Sequence, residues 1–292
     1  MTSPITVVTG ANSGIGRATA LHLAANGHRV FGTVRALDRA EKLLALAEQQ
    51  GVEIELAELD VADDASVERG FADILERAGR VDHLVNNAGV GGNGVVEECS
   101  SEQFLDVMNI DLVGAIRCSR AVLPQMRERG SGTIVNVTSV AGRFGAMAQA
   151  PYVASKWALE GVSEEMALEL AAFGIRVAIV EPGVTKSAIF GKNIEAPNDT
   201  GAYGAHYQRM FQMYAAGIQQ ATDAVEVARI IQHAIETDEP ELRYQVSWGA
   251  AEMVAGRDAM SAADWFALGA TADDAEYARR FSELMGVDIT GV

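Results

Sequence analysis

Short runs of β-branched and apolar residues alternate with longer stretches whose apolar positions return at helical spacing, from the first residues of the chain onward. That alternation predicts repeated strand–helix–strand units and a mostly parallel sheet, because parallel neighbours need a crossover and the crossover is normally a helix. Strands are expected at 5–9, 28–34, 54–59, 83–86, 133–137 and 176–181. Helices are expected from the glycine-rich turn after the first strand to about 26, then at 40–50, about 64–78, about 101–129 and 152–173. Gly51 is placed to close the second helix, and Asp63 or Asp64 to open the third. Past 187 the alternation breaks into a stretch rich in Gly, Asn, Tyr and Met that runs to about 220 and reads as an insertion. A helix from about 222, a seventh strand at 243–248 and Ala-rich helix to the end follow. The expectation is a single α/β domain, doubly wound, with about seven strands and helices on both faces.

Composition narrows the function classes. The chain has 292 residues, 49% hydrophobic and 22% charged, which suits a globular domain with a buried core. Its formal charge of −17 argues against nucleic acid or an anionic membrane as partner, since most of the surface would repel phosphate. An anionic ligand would need a local positive site. With only Cys99 and Cys118 and no secretory leader pattern, reduced thiols and a cytoplasmic location are expected. No apolar run reaches the roughly 18–20 residues of a membrane span; the run at 177–184 is cut by Glu181 and Pro182.

Between the first strand and its helix the chain reads Thr9-Gly10-Ala11-Asn12-Ser13-Gly14-Ile15-Gly16. Glycines at 10, 14 and 16 allow a tight turn and a close backbone approach to a pyrophosphate held at the positive helix N-terminus. The spacing is not GxGxxG, but the turn follows a predicted strand and opens a helix, as in a Rossmann-type dinucleotide-binding unit. Here the chain resembles the short-chain dehydrogenase/reductase family, whose cofactor loop reads TGxxxGIG. Further family motifs follow in order: Asp60-Val61, Asn86-Asn87-Ala88-Gly89, Asn109, Ser139, Tyr152-Val153-Ala154-Ser155-Lys156 and Pro182-Gly183. The resemblance covers 1 to about 250, a dinucleotide-binding oxidoreductase domain with a substrate lid at about 187–221, and leaves 251–292 as a helical C-terminal extension.

The residue ending the second strand of such a fold decides how the adenosine ribose is read: a carboxylate accepts from two hydroxyls, and an arginine pairs with a 2′-phosphate. Here Val34 stands at the acidic position with Arg35 beside it, so NADP(H) is favoured over NAD(H), although Asp38 is close in sequence and Ser13 replaces a second basic residue. By resemblance, Asp60 and Val61 would meet the adenine, with Asp60 alternatively a loop or capping carboxylate. Asn86, Ala88 and Gly89 would approach the adenine ribose, Asn87 would bind cofactor or brace the sheet, and Pro182, Gly183 and Val184 would line the nicotinamide side. Ser187 stands where relatives carry threonine, with Thr185 an alternative donor.

Tyr152 and Lys156 are four apart, so on a helix they share a face and the ammonium can favour the phenolate. Each unit by which the phenol falls from its usual value near 10 needs about 1.4 kcal/mol of such preference. Ser139, just past the fifth strand, could hold the substrate oxygen. The resemblance makes Asn109, Ser139, Tyr152 and Lys156 a relay: Tyr152 as general acid or base, Lys156 on the nicotinamide ribose, and Asn109 holding a water that joins Lys156 to solvent. The implied reaction interconverts an alcohol and a ketone or aldehyde, with no metal. Phe144, Met147, Ile189, Phe190, Tyr203, Met210, Phe211 and Tyr214 would wall a lipophilic cleft or simply pack the lid. A homodimer or homotetramer is expected through the helices bearing Asn109 and Tyr152. Two other readings are a nucleotide-sensing binding protein, against which the intact Ser139, Tyr152 and Lys156 speak, and a sugar-nucleotide epimerase or dehydratase, disfavoured by the glycine spacing.

Overall fold

A computed structural model describes residues 3–187 and 197–291. Seven strands, β1 (Ile5–Val8), β2 (Arg29–Val34), β3 (Ile54–Glu58), β4 (His83–Asn86), β5 (Gly132–Val137), β6 (Ile175–Pro182) and β7 (Arg243–Val246), form one sheet of order β3-β2-β1-β4-β5-β6-β7. Every pairing is parallel, so the sheet is more uniform than expected. The order reverses between β1 and β4, and the crevice outside the strand ends there is the place where such sheets receive ligands.

Alternate residues of each strand feed opposite faces. Val7, Phe31, Leu84 and Ile134 join α3 (Asp64–Ala78), α5 (Gly114–Arg129) and α6 (Ala150–Ala171) in one core; Val8, Val30, Val85 and Val135 join α1 (Gly14–Ala25), α2 (Glu41–Gln50) and α8 (Ala224–Glu236) in the other. Because both faces are buried, the strands read as nearly continuous apolar runs. Local signals set the helix ends: Asp63 accepts the Ser66 N–H to open α3, and Gly51 closes α2 in the left-handed region.

The expected helix at 101–129 is interrupted. α4 (Ser101–Met108) gives way to a π turn at Asn109–Val113 before α5 resumes. Beyond the sheet, α7 (Gly204–Gln219) lies in the inserted region, while α9 (Ala250–Ala259), α10 (Ala262–Gly269) and α11 (Asp274–Met285) form the extension. Met253, Leu268, Tyr277, Phe281 and Met285 from those last helices pack with Val140 and Phe144 in a third cluster. The extension therefore sits over the carboxyl ends of β5 and β6. Among the described residues no helix is long and apolar enough to cross a membrane.

Candidate active site

One cleft of about 810 Å³ runs along the carboxyl ends of the strands, from the turn after β1 to the extension. Its floor begins at the glycine turn. Gly10 and Gly14 take φ of +67° and +54°, which only glycine adopts without strain. At Gly16 a Cβ would stand 3.0 Å from the Gly10 carbonyl carbon and would overlap both Gly10 O and the Asn87 amide. Ser13 makes no side-chain cap and the first turn of α1 has no acidic residue, so the N–H groups there and the positive helix end face the cleft. This cradle fits a dinucleotide pyrophosphate.

Thr9 joins the turn to the strand across the reversal: its hydroxyl accepts the N–H groups of Asn87 and Ala88 at 2.9 and 3.0 Å, and the Asn87 amide donates back to Thr9 O at 2.9 Å. Asn87, Ala88 and Gly89 line the cleft beside Asn12, Ser13 and Ile15. Asn86 does not reach it; buried, it donates to Ser119 and Asn136 at 3.1 and 2.8 Å and ties β4 to α5 and β5. Asp60 and Val61 line the wall, where Asp60 Oδ1 accepts the Ala62 N–H at 3.0 Å. Arg35 follows β2 on the rim. Arg39, which sequence reasoning passed over, joins it from a single 3-10 turn at Leu37–Ala40, and neither forms an ion pair with a described residue. Asp38 does not line the cleft.

Pro182, Gly183, Val184 and Thr185 form a wall beyond the cradle, and Ser187 returns to the glycine turn, its Cβ 3.3 Å from the position a Gly14 Cβ would take. The Thr185 hydroxyl is engaged with the Ser247 hydroxyl at 2.7 Å. Ser139 follows β5; its hydroxyl accepts the Ala141 N–H at 3.2 Å and lies 3.5 Å from Pro182 O. Tyr152 and Lys156 project from the first turns of α6 into the same space, with the ammonium 5.6 Å from the centre of the Tyr152 ring.

The structure corrects the fourth member of the expected relay. Asn109 points away from Lys156: its amide donates to Ala62 O at 3.2 Å and its oxygen accepts from Arg117 at 2.9 Å. Asp111, two residues on, takes that place, with Oδ2 3.4 Å from Lys156 Nζ, while Oδ1 accepts the Val90 N–H at 2.8 Å and the Ser155 hydroxyl lies 3.3 Å from Oδ2. Residues two apart in a helical turn lie on roughly opposite sides of it, so turning Asp111 inward turns Asn109 outward. Burial raises the Asp111 carboxyl above its ordinary range even against the Lys156 charge. Burial also works against the Lys156 ammonium, but the pull of Asp111, with Tyr152 and Glu160, outweighs it and raises that group. The signal for Asp111 was present: a carboxylate among Ile110, Leu112 and Val113 must find a buried partner.

The upper wall is apolar. Phe144, Met147, Met210 and Tyr214 line it as anticipated; Tyr203 and Phe211 do not, and Ile189 and Phe190 lie outside the described residues. Trp265, Leu268, Tyr277, Phe281 and Ile289 from the extension complete it. Arg209 also borders this wall, tied to Asp274 at 2.8 Å and over the Tyr277 ring at 4.3 Å.

Comparison with known proteins agrees with this geometry. The family model for short chain dehydrogenases matches residues 4–198. Estradiol 17-beta-dehydrogenase 1 of Rattus norvegicus is 35% identical over 258 residues, covering 84% of this chain and 74% of that protein. A short-chain dehydrogenase from Streptomyces avermitilis superposes with a TM-score of 0.78 at 38% identity, over 87% of this chain and 92% of the other. An actinorhodin polyketide ketoreductase variant, solved with NADPH, superposes with a TM-score of 0.71 at 33% identity, over 84% and 95%.

Proposed function

The chain belongs to the short-chain dehydrogenase family of oxidoreductases, and from that premise we propose that it interconverts a lipophilic alcohol and its ketone or aldehyde with NADP(H), using Tyr152 as general acid and base. The observation that carries this reading is the convergence of Tyr152, Lys156 and Ser139 at one end of the cleft whose other end is the glycine cradle.

A nicotinamide dinucleotide, when bound, would supply or accept the hydride; Gly10, Asn12, Ser13, Gly14, Ile15 and Gly16 would hold its pyrophosphate, and Asp60, Val61, Asn87, Ala88 and Gly89 its adenosine side. Pro182, Gly183 and Val184 would bound the nicotinamide, and Ser187, beside Gly14, would meet the carboxamide or the phosphate. In the reductive direction Ser139 Oγ donates a hydrogen bond to the substrate carbonyl oxygen and Tyr152 Oη delivers the proton to it. Lys156 keeps the resulting phenolate from recapturing that proton, and in oxidation the phenolate removes it from the alcohol. Arg35 and Arg39 support NADP(H), because two guanidiniums beside the end of β2 match a 2′-phosphate. The apolar upper wall supports a lipophilic substrate, as do the steroid and polyketide named in two relatives. Leu105, Trp157 and Leu168, exposed on α4 and α6, support self-association through those helices.

Turnover of NADPH or NADH with a panel of ketones and alcohols, followed by the near-ultraviolet absorbance of the reduced cofactor, tests the reading. Tyr152→Phe is expected to lose on the order of 10²–10⁴-fold in kcat with the fold intact. Near-normal turnover in that variant would overturn the assignment.

A further inference from the structure

We infer that Asp111 is a positioning residue that sets the pH range of Tyr152: a buried carboxylate, it holds the Lys156 ammonium and opposes part of that ammonium's pull on the phenolate. The inference rests on the proposed role of Tyr152 and concerns a residue that does not border the cleft itself. Three features of the structure carry it. Asp111 is 1% exposed and its Oδ2 lies 3.4 Å from Lys156 Nζ, so its charge is in a place where solvent screens little. Its other oxygen is fixed by the Val90 N–H at 2.8 Å, which holds the carboxylate in register with the loop after β4. Gly89 lies across the pair: a Cβ there would stand 3.3 Å from Asp111 Oδ1 and 3.5 Å from Lys156 Nζ.

Among the described charged and titratable groups facing Lys156 and Tyr152, Asp111 is the anion that acts most on Lys156. Glu160, on α6, also acts on Lys156 but is met by Arg243 from β7 at 3.0 Å. Tyr214, from α7, faces Tyr152 and is kept protonated by burial. β5 offers Lys156 only the Val137 carbonyl at 3.4 Å. Lys156 Nζ lies 5.6 Å from the centre of the Tyr152 ring and 3.4 Å from Asp111 Oδ2, so the carboxylate offsets part of the ammonium's charge. Removing a negative charge lowers the proton affinity of every neighbouring group, so the direction of the effect is fixed by sign alone.

The test is Asp111→Asn, which keeps an oxygen acceptor for the Val90 N–H while removing the charge. Ultraviolet difference titration of the cofactor-free protein, with Tyr152→Phe as the subtracted reference, reads the Tyr152 phenolate directly; the pH profile of kcat/KM for alcohol oxidation reads it in turnover. Both midpoints are expected to move down by about one pH unit in Asp111→Asn, with Asp111→Ser as the second neutral variant if the first fails to fold. A midpoint that stays within about 0.2 unit of the wild type, or moves up, overturns the inference. If wild type turned over no substrate, or Tyr152→Phe remained active, the reading of Tyr152 as proton donor would fall instead, and the phenolate titration alone would decide the role of Asp111.

Discussion

Alanine at Gly183 and at Gly161 should have opposite effects, because the two glycines meet different surroundings. At Gly183, where β6 ends on the cleft wall, a Cβ would overlap Trp248 O and stand 3.0 Å from Ala250 N and 3.1 Å from the Trp248 carbonyl carbon. Those atoms are backbone and cannot rotate aside. The segment joining β7 to α9 would have to retreat by about 1 Å, straining Gly183 N–H to Val246 O at 2.8 Å and Val184 N–H to Trp248 O at 3.0 Å. Overpacking costs about 1–3 kcal/mol and loosening one such hydrogen bond about 1 kcal/mol, so Gly183→Ala should lose about 3 kcal/mol. Gly161 lies inside α6 with nothing within 4 Å of its Cβ position, and alanine there should gain about 0.5–1 kcal/mol from helix propensity. With an unfolding entropy of about 2 cal/mol/K per residue, a 292-residue chain shifts by roughly 1.5 °C per kcal/mol, giving a Tm about 5 °C lower for Gly183→Ala and about 1 °C higher for Gly161→Ala. Thermal unfolding by circular dichroism at one scan rate, with no cofactor added, measures both. A Gly183→Ala protein melting within about 1 °C of wild type would refute the claim that backbone crowding shapes this wall.

Two further outcomes follow from charge. Arg35→Ala and Arg39→Ala should each weaken NADPH roughly tenfold in a fluorescence titration while leaving NADH within about twofold, and equal effects on both would remove the basis for the NADP(H) preference. His83 is held down to about 4 by burial, with His28 adding repulsion. The unfolded chain, near 6.5, therefore binds the proton first, and stability falls as pH drops from about 6.5 towards 4. Urea unfolding should show the advantage of wild type over His83→Gln shrinking by about 2–3 kcal/mol between pH 7 and 4.5; parallel curves would contradict a buried neutral imidazole.

The strands were legible because a parallel sheet covered on both faces leaves apolar runs such as the one ending at Val8, and the caps because Gly51 and Asp63 use local geometry alone. β7 stops at Val246 rather than 248 because Ser247 and Gly249 adopt positive φ, which propensity does not announce. The π turn was not read from the sequence: it lies at Asn109–Val113 within the expected helix, where Asp111 faces Lys156 and Asn109 turns to Ala62. The extension forms three helices, and where they dock depends on Met253, Tyr277 and Phe281 finding Val140 and Phe144, residues more than a hundred positions away. Glycine turn, Ser139, Tyr152 and Lys156 could be placed early because their positions follow from strand ends and one helical turn. Asp111, Arg39 and Trp265 reach the cleft or its lysine through tertiary packing.

A chain of formal charge −17 that receives an anionic cofactor has to separate its attractions in space. Lys156 cannot steer it, since Asp111 matches the ammonium at 3.4 Å and both are buried. The available positive charge lies instead at the other end, in the exposed rim arginines Arg35 and Arg39 and the uncapped first turn of α1. Exposed charges are screened beyond about 8 Å at physiological salt, whereas a buried pair is screened much less. Cofactor capture should therefore depend on ionic strength through the rim, while the buried Lys156–Asp111 pair stays nearly independent of it. The two ends of the cleft divide the work between an electrostatics that solvent can tune and one that the fold fixes.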